Sequence, residues 1–371
     1  INGAGIARDA AGRGLKVCLA DKGEIGNATS SWSTKLIHGG LRYLENYEFR
    51  LVNESLRERE IIYKIAKDIT KPIPFIIPHT KKLRPAWLIK IGLFLYDNLG
   101  GKKIIPKSQT IKIDKKYPNI LKSNFKKGFQ YYDLQVDDKK LTELNVDDAK
   151  NYGATIYENN KVIRVTREKN NWNIYLENNK IIKSNILINA TGPWVNEVIK
   201  SVLKTSLKKS VRLIKGSHII TNKLYDQDIA FTLQNEDKRI IFVIPYRKKY
   251  SLIGTTEIEV HSPDFPRIEK NEIEYLLSSV NYYFLKQINK EDIVDTYSGI
   301  RPLVEDFNET SKISRDYILD LDTENNMSPL LNIYGGKLTT YRKLAEKALY
   351  ELSNFFPENI GKSWTDKKDL K

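Results

Sequence analysis

The first 21 residues combine a glycine-containing turn, a helix of small residues and a short apolar strand, and they restrict the fold more than any other stretch. Gly3 and Gly5 permit close approach of the backbone, and the alanines around them allow a helix to pack tightly on a sheet. The strand 17–20 ends in Asp21, and an acidic residue about twenty positions after such glycines binds a ribose hydroxyl. The pattern predicts a dinucleotide site with a pyrophosphate at the helix N-terminus, although a Gly-x-Gly pair alone also begins helices that bind no ligand.

The strand that precedes the turn in such units, together with its first glycines, is not in this sequence. A buried central strand pairs with a neighbour on each side. We therefore expect two exposed sheet edges and an open pyrophosphate site.

Composition limits the class of protein. The 371 residues are enough for two domains and a sizeable core, and no run approaches the ~20 apolar residues of a membrane-spanning helix. Cys18 is the single cysteine, so an internal disulfide is excluded, and its strand pattern predicts a buried structural thiol. The four histidines form no cluster with cysteine, and we expect no metal.

The formal net charge of +15 comes mostly from lysines that are spread along the whole chain. Such a charge favours an anionic substrate, nucleic acid or an anionic membrane surface. Because the sequence has neither a basic stripe nor an RNA-binding signature, we expect no nucleic-acid partner.

Three further segments place small or hydroxyl residues next to a predicted strand. The loop 27–35 is rich in Ser and Thr, strand 186–188 runs into Ala190-Thr191-Gly192, and strand 331–334 runs into Gly335-Gly336-Lys337 before a helix that ends near residue 352. Such turns suit the phosphates or the ring edge of a flavin cofactor. Each of them, taken alone, is also an ordinary structural turn.

Apolar periodicity predicts the remaining elements. Helices are expected over 47–67, 84–96, 137–151 and 273–286; strands over 75–77, 154–157, 162–165, 172–176, 217–220, 240–245, 252–254, 297–303 and 317–319; and a polar, loop-rich segment over 102–127. Helix 84–96 is the most hydrophobic and too short to span a bilayer. We expect it to be buried or half-buried, the alternative being a helix in a membrane interface.

Taken together, these segments resemble the FAD-dependent glycerol-3-phosphate dehydrogenases, in family order and over nearly the whole chain. The matching stretches are 1–14, 28–48, 84–96, 190–194, 214–218, 234–239, 254–256, 298–303 and 335–342. The resemblance implies a mixed α/β fold, in which a Rossmann-like FAD/NAD(P)-binding domain of the glutathione-reductase or glycine-oxidase type carries an antiparallel substrate-binding cap. The implied domains are 1–70, 140–200 and 332–352 for FAD, 71–139 and 201–331 for the cap, and 353–371 for the start of a truncated C-terminal helical domain.

The implied reaction oxidises sn-glycerol 3-phosphate to dihydroxyacetone phosphate, with hydride transfer from C2 to flavin N5 and electrons passing to a membrane quinone. The resemblance also implies a cytoplasmic protein on the inner face of the cytoplasmic membrane, held peripherally on its anionic surface, and it admits a homodimer. The alternatives are an oxygen-using glycerol-3-phosphate oxidase, an amine or amino-acid oxidase of the same fold, a catalytically impaired fragment, and a basic binding module without enzymatic activity.

The resemblance assigns site residues, and residue chemistry agrees with it. Guanidinium groups bind a phosphate dianion bidentately. The expected substrate contacts are Arg42, Tyr43, Arg301 and Arg315. Lys337 and Arg301 are expected to act in catalysis, with His38 or His218 as the base, between which the sequence does not choose. The expected FAD contacts are Gly3, Gly5, Asp21, Lys22, Thr29, Ser30, Ser31, Thr34, Lys35, His38, Gly39, Ala190, Thr191, Gly192, Trp194, Gly336, Lys337, Leu338 and Thr339.

Overall fold

A computed structural model describes residues 1–81, 83–206, 208–305, 316–323, 327–358 and 360–371. Within these ranges the α-helices are α1 (Asn2–Gly12), α2 (Phe49–Ile65), α3 (Ala86–Asn98), α4 (Ile113–Lys116), α5 (Asp138–Asn151), α6 (Val195–Val198), α7 (Lys270–Tyr283) and α8 (Tyr341–Glu351). Short 3-10 helices lie at Thr29–Ser31, Leu41–Asn46, Lys67–Ile69, Gly192–Trp194, Lys290–Asp292, Leu338–Thr340 and Ser353–Phe355, and a π-helical turn at Ile199–Leu203 continues α6. No helix in these ranges is both long enough and apolar enough to cross a membrane.

The strands alternate with these helices in chain order. They are β1 (Cys18–Ala20), β2 (Leu36–Ile37), β3 (Thr70–His79), β4 (Gln109–Lys112), β5 (Lys127–Val136), β6 (Thr155–Tyr157), β7 (Val162–Arg167), β8 (Trp172–Leu176), β9 (Ile181–Ser184), β10 (Leu187–Asn189), β11 (Ser210–Asn222), β12 (Ala230–Gln234), β13 (Ile240–Tyr246), β14 (Tyr250–Gly254), β15 (Ile258–Val260), β16 (Ile293–Glu305), β17 (Tyr317–Asp322) and β18 (Leu330–Gly335). The predicted helices and strands are therefore present, and the segment 102–127, predicted to be loop-rich, also contains β4 and α4.

Helix α1 lies at the centre of one half of the molecule because its small side chains allow neighbouring elements to approach. Its alanines are buried, and it packs against α5 and α8. A Cβ on Gly5 would lie 2.7 Å from Tyr341 Cδ2, and one on Gly12 would lie 2.0 Å from Trp364 Cζ2. These two glycines therefore serve helix packing.

Two small parallel pairings flank α1. Strand β1 pairs with β6, β10 pairs with β18, and β17 runs antiparallel to β18. Among the described residues, β1 and β10 each have a strand partner on one side, so the expected exposed sheet edges are present. The prediction that Cys18 is buried is wrong: the residue is exposed, because β1 is paired on one side and Cys18 lines the cavity described below.

The other half is a large sheet in the order β15-β11-β14-β13-β12-β3-β5-β2, with β16 paired to β11 and β4 paired to β5. Its pairings are antiparallel except for β12 with β3. Helix α7 covers one face, where Phe231, Ile253, Leu276 and Tyr283 belong to one apolar core cluster. The predicted meander is also present as the antiparallel sheet β7-β8-β9.

Helix α3 is half-buried, as predicted. Ile89, Leu93 and Tyr96 face the core, whereas the side chains of Trp87 and Phe94 are 63% and 67% exposed. The helix therefore carries an apolar face that the rest of the described chain leaves open to solvent.

The C-terminal segment runs back along α1 and α2. Trp364 Nε1 donates to the Asp9 carbonyl oxygen at 3.2 Å, and the Leu370 amide donates to the Ile65 carbonyl oxygen at 2.7 Å. Within the described part of 353–371, secondary structure consists of the 3-10 helix Ser353–Phe355, where the sequence predicted the start of a helical domain.

Candidate active site

One cavity of about 1500 Å³ joins the two halves of the molecule. It runs from the N-terminal turn of α1 and the open edges of β1 and β10 to the strands β11 and β16. The carboxyl ends of β1, β10 and β18 all reach it, which is where open α/β sheets bind their ligands.

Most of the predicted cofactor residues line this cavity. They are Gly3, Asp21, Lys22, Thr29, Ser30, Thr34, His38, Ala190, Thr191, Gly192, Trp194, Gly336, Lys337, Leu338 and Thr339. Signals scattered over more than 300 positions of the sequence therefore meet at one site. The N-terminus of α1 faces it through Asn2 and Gly3, so its backbone amides and helix dipole suit an anionic phosphate group.

Four predicted cofactor residues lie off the cavity wall. Gly5 faces Tyr341, as described above, and Gly39 donates its amide to the Tyr96 hydroxyl at 2.8 Å. Lys35 Nζ contacts Asp138 Oδ1 at 2.7 Å and the Ser31 carbonyl oxygen at 2.9 Å. Gly5, Ser31, Lys35 and Gly39 thus form contacts within the protein that shape the site from behind.

At the end of the cavity near β1, side chains from the two sides of the cavity contact each other. Lys22 Nζ lies 3.9 Å from the centroid of the Trp194 ring and 3.5 Å from Asp264 Oδ1. Trp194 Nε1 donates to the same carboxylate oxygen at 2.9 Å. Two predicted residues are therefore held together by a third, Asp264, that the sequence did not indicate.

Lys337 is the most unusual cation of the site. Gly335 and Gly336 have φ of +74° and +89°, and this left-handed pair turns the chain from β18 into the 3-10 helix that Lys337 precedes. Its Nζ is buried and has no hydrogen-bond partner among the described residues, and it lies 4.5 Å from the Tyr43 ring centroid. Burial lowers the pKa of Lys337 below its ordinary value.

Arg301 reaches the cavity from β16. Its Nη2 donates to the Thr256 carbonyl oxygen at 3.1 Å, and its Nη1 lies 3.4 Å from Glu257 Oε1. A Cβ on Gly216 would lie 2.7 Å from Arg301 Nη2, so glycine in mid-strand makes room for the guanidinium group. Gly216 and Thr255 also line the cavity; sequence reasoning missed them, although a glycine inside a strand was an available signal.

His218 lies on β11 beside Arg301. Its Nε2 is 3.1 Å from Thr34 Oγ1, and its ring stacks on Tyr297 with centroids 4.7 Å apart. Burial, followed by the charges of Arg301 and Lys35, lowers the pKa of His218 to about 3. The imidazole is therefore neutral at neutral pH, and its Nδ1 is buried without a hydrogen-bond partner among the described residues.

The other predicted residues are placed as follows. His38 lines the cavity, and its amide donates to Thr339 Oγ1 at 3.1 Å. Tyr43 is buried on the cavity wall, whereas the neighbouring Arg42 is half-buried and is not among the lining residues. Arg315 lies outside the described residues.

A sequence model of the family described as FAD dependent oxidoreductase matches residues 1–342. The chain belongs to this family. The mixed α/β fold and the FAD cofactor expected from the sequence are thereby confirmed, and the turn at Gly3, Asp21 and the cavity between them fit that cofactor.

Particular relatives narrow the class. The chain is 47% identical to a glycerol-3-phosphate dehydrogenase of Pseudomonas aeruginosa, over all of this chain and 73% of that protein. It is 46% identical to a D-erythritol 1-phosphate dehydrogenase of Brucella abortus, over 98% of this chain and 74% of that protein. Among solved structures, it matches the glycerol-3-phosphate dehydrogenase from Bacillus halodurans complexed with FAD, with a TM-score of 0.74, 25% identity, and coverage of 99% of this chain and 65% of that one.

Proposed function

We propose that this chain oxidises sn-glycerol 3-phosphate to dihydroxyacetone phosphate. Bound FAD would supply N5 as the acceptor for the C2 hydride, and a base of the protein would take the proton of the C2 hydroxyl. The observation that carries the proposal is the pairing, on one cavity, of a buried lysine without a hydrogen-bond partner among the described residues and a buried neutral imidazole.

The first part of the argument concerns the anion. A buried ammonium group is costly unless it is paired, so Lys337 suits a ligand that brings negative charge. Arg301 supplies a second cation on the same cavity, and a guanidinium group suits bidentate binding of phosphate oxygens. In this proposal Arg42, Tyr43 and Arg315 complete the substrate site.

The second part concerns the base. Both candidate histidines line the cavity, but His218 is held on its Nε2 side by Thr34 and has a buried Nδ1. A neutral imidazole can accept a proton, and an anionic substrate close to it would raise its pKa toward the working range. We therefore favour His218 over His38, and in this proposal Lys337 stabilises the developing alkoxide.

The cofactor would lie along the remainder of the cavity. In this proposal residues 1–70, 140–200 and 332–352 hold FAD, residues 71–139 and 201–331 cover the substrate, and residues 353–371 begin a further domain. Gly3 and the helix N-terminus would face the pyrophosphate, Asp21 and Lys22 the ribose, and Gly336 to Thr339 the flavin edge.

The electron acceptor is proposed to be a membrane quinone, reached by peripheral attachment to the inner face of the cytoplasmic membrane. The support is the exposed apolar face of α3, together with the exposed lysines Lys81, Lys90, Lys102 and Lys107 in and beside this helix. Apolar side chains bordered by cations suit an anionic bilayer surface.

The experiment is anaerobic reduction of the protein-bound flavin, followed by its visible spectrum. Glycerol 3-phosphate should bleach the flavin, whereas glycerol and inorganic phosphate should not. D-Erythritol 1-phosphate is the second substrate to compare, because a relative that is 46% identical carries that activity in its name. Bleaching by amino acids instead, or no flavin spectrum after FAD is added, would contradict the proposal; stoichiometric peroxide in air would favour an oxygen-using oxidase.

A further inference from the structure

A buried polar group supports the turn at Gly39 and Gly40. The Tyr96 hydroxyl accepts a hydrogen bond from the Gly39 amide at 2.8 Å and donates one to Asp133 Oδ1 at 2.6 Å. Arg59 Nη1 donates to the same carboxylate oxygen at 2.8 Å. Tyr96, Arg59 and Asp133 are all almost fully buried, and none of them lines the large cavity.

The turn has little freedom to move without disturbing this group. A Cβ on Gly39 would lie 2.3 Å from Leu56 Cδ2 and 2.8 Å from Tyr96 Cε2, so the backbone rests directly on both side chains. Gly40 has a φ of +76°, a conformation that glycine adopts readily. The 3-10 helix Leu41–Asn46 begins immediately afterwards.

That 3-10 helix carries Arg42 and Tyr43, two of the proposed substrate contacts. The Tyr43 ring lies beside Lys337 Nζ, at 4.5 Å from ring centroid to nitrogen. A shift of the Gly39–Gly40 backbone would therefore move Arg42 and also Tyr43, which lines the cavity beside Lys337. The Gly39 amide is held from below by the Tyr96 hydroxyl at 2.8 Å and, at the longer distance of 3.4 Å, by Asp133 Oδ1.

The chemistry of the group argues against a purely structural purpose. Desolvation raises the pKa of Asp133, and a buried ion pair is often no more stabilising than apolar side chains of similar size. What a charged and hydrogen-bonded group adds is a fixed geometry for the atoms that it contacts.

We propose that Tyr96, held by Asp133 and Arg59, is a positioning residue for the substrate-binding turn and acts through Arg42 and Tyr43. Its role in substrate affinity rests on the proposed function; its role in fixing the turn does not. The two parts are therefore tested by separate measurements.

The test compares Tyr96→Phe with Tyr131→Phe. Tyr131 is a matched control, because it is buried in the same core cluster with its ring centroid 5.8 Å from that of Tyr96, but its hydroxyl contacts Thr232 Oγ1 at 3.0 Å. In hydrogen exchange followed by mass spectrometry, Y96F should exchange about tenfold faster over residues 37–46, as expected for one lost hydrogen bond, and Y131F should match the wild type.

In steady-state kinetics, Y96F should raise KM for glycerol 3-phosphate about tenfold with kcat changed less than about twofold, and with FAD affinity unchanged. Adding Y96F to Arg42→Ala should raise KM little further, because both changes disable the same turn. If Y96F does not fold, Asp133→Asn, which keeps an acceptor for Tyr96, should show the same effects in weaker form.

Equal exchange over residues 37–46 in Y96F and Y131F would overturn the positioning role, and so would independent, multiplying effects of Y96F and R42A on KM. If the wild type does not oxidise glycerol 3-phosphate at all, the proposed function fails. The exchange measurement then still decides whether Tyr96 fixes the turn.

Discussion

Replacing Lys337 by methionine should change stability and substrate affinity in opposite directions. Methionine keeps the length and the apolar stem of lysine but removes the buried charge that has no hydrogen-bond partner among the described residues. Because burial lowers the pKa of Lys337, the charged form destabilises the ligand-free protein at neutral pH. K337M should therefore raise the melting temperature of the ligand-free protein by roughly 1–3 °C.

Substrate binding should respond the other way. A hydrogen bond from a charged donor contributes about 1.5–3 kcal/mol, so K337M should weaken glycerol 3-phosphate binding by roughly 10- to 150-fold. The sign of the pH effect follows from the lowered pKa. The folded wild type sheds the destabilising proton as pH rises through that pKa, so its stability should approach that of K337M toward pH 10.5.

The assays are thermal unfolding without ligand and anaerobic flavin titration with glycerol 3-phosphate. Lys343→Met is the matched control, because Lys343 lies on α8 with its side chain 39% exposed and paired to Glu346. That change should leave substrate affinity unaltered. A lower melting temperature for K337M, together with unchanged substrate affinity, would refute the reasoning and make Lys337 a structural residue.

Three further predictions concern other parts of the site. Arg301→Ala should weaken substrate binding severely while FAD stays bound, and unchanged apparent affinity for glycerol 3-phosphate would remove Arg301 from the site. Wild-type stability should fall as pH drops from 6.5 toward 3, because unfolded His218 takes up a proton that the folded residue excludes; His218→Gln should show a shallower decline in acid unfolding. The double variant Trp87→Ser/Phe94→Ser should float with anionic liposomes less than the wild type does. Equal flotation of the double variant and the wild type would exclude this face of α3 as the attachment surface.

Local patterns in the sequence predicted much of the site because the candidate site residues lie at the ends of strands. Turns at residues 190–192 and 335–337 follow short strands, and parallel strands bring their carboxyl ends to one edge of a sheet. Local spacing therefore indicates the place where distant segments meet. It does not indicate which side of a helix each residue faces, so Gly5, which packs on Tyr341, was predicted as a cofactor contact alongside Gly3.

Other features depend on pairings that no local pattern shows. Gly216 stands beside Arg301 because β11 and β16 pair with Gly216 opposite Gly299. The link between Tyr96 and the turn at Gly39 crosses 57 positions of sequence, and the parallel contact of β12 with β3 has no signature in either strand. Exposure of Cys18 likewise depends on the neighbours of β1, which the strand's own alternation does not reveal.

The net charge and the site charge have different consequences for anion binding. The +15 of the whole chain is carried by many lysines spread over the sequence, and exposed charges are screened within about 10 Å at ordinary ionic strength. Such a surface attracts anions in general and distinguishes poorly among them. Lys337 is buried at the end of a cavity, where screening is weak and an unpaired charge is costly. Selection of a phosphate ester should therefore depend on this buried cation and on Arg301, and substrate affinity should be far less sensitive to added salt than attachment to an anionic bilayer.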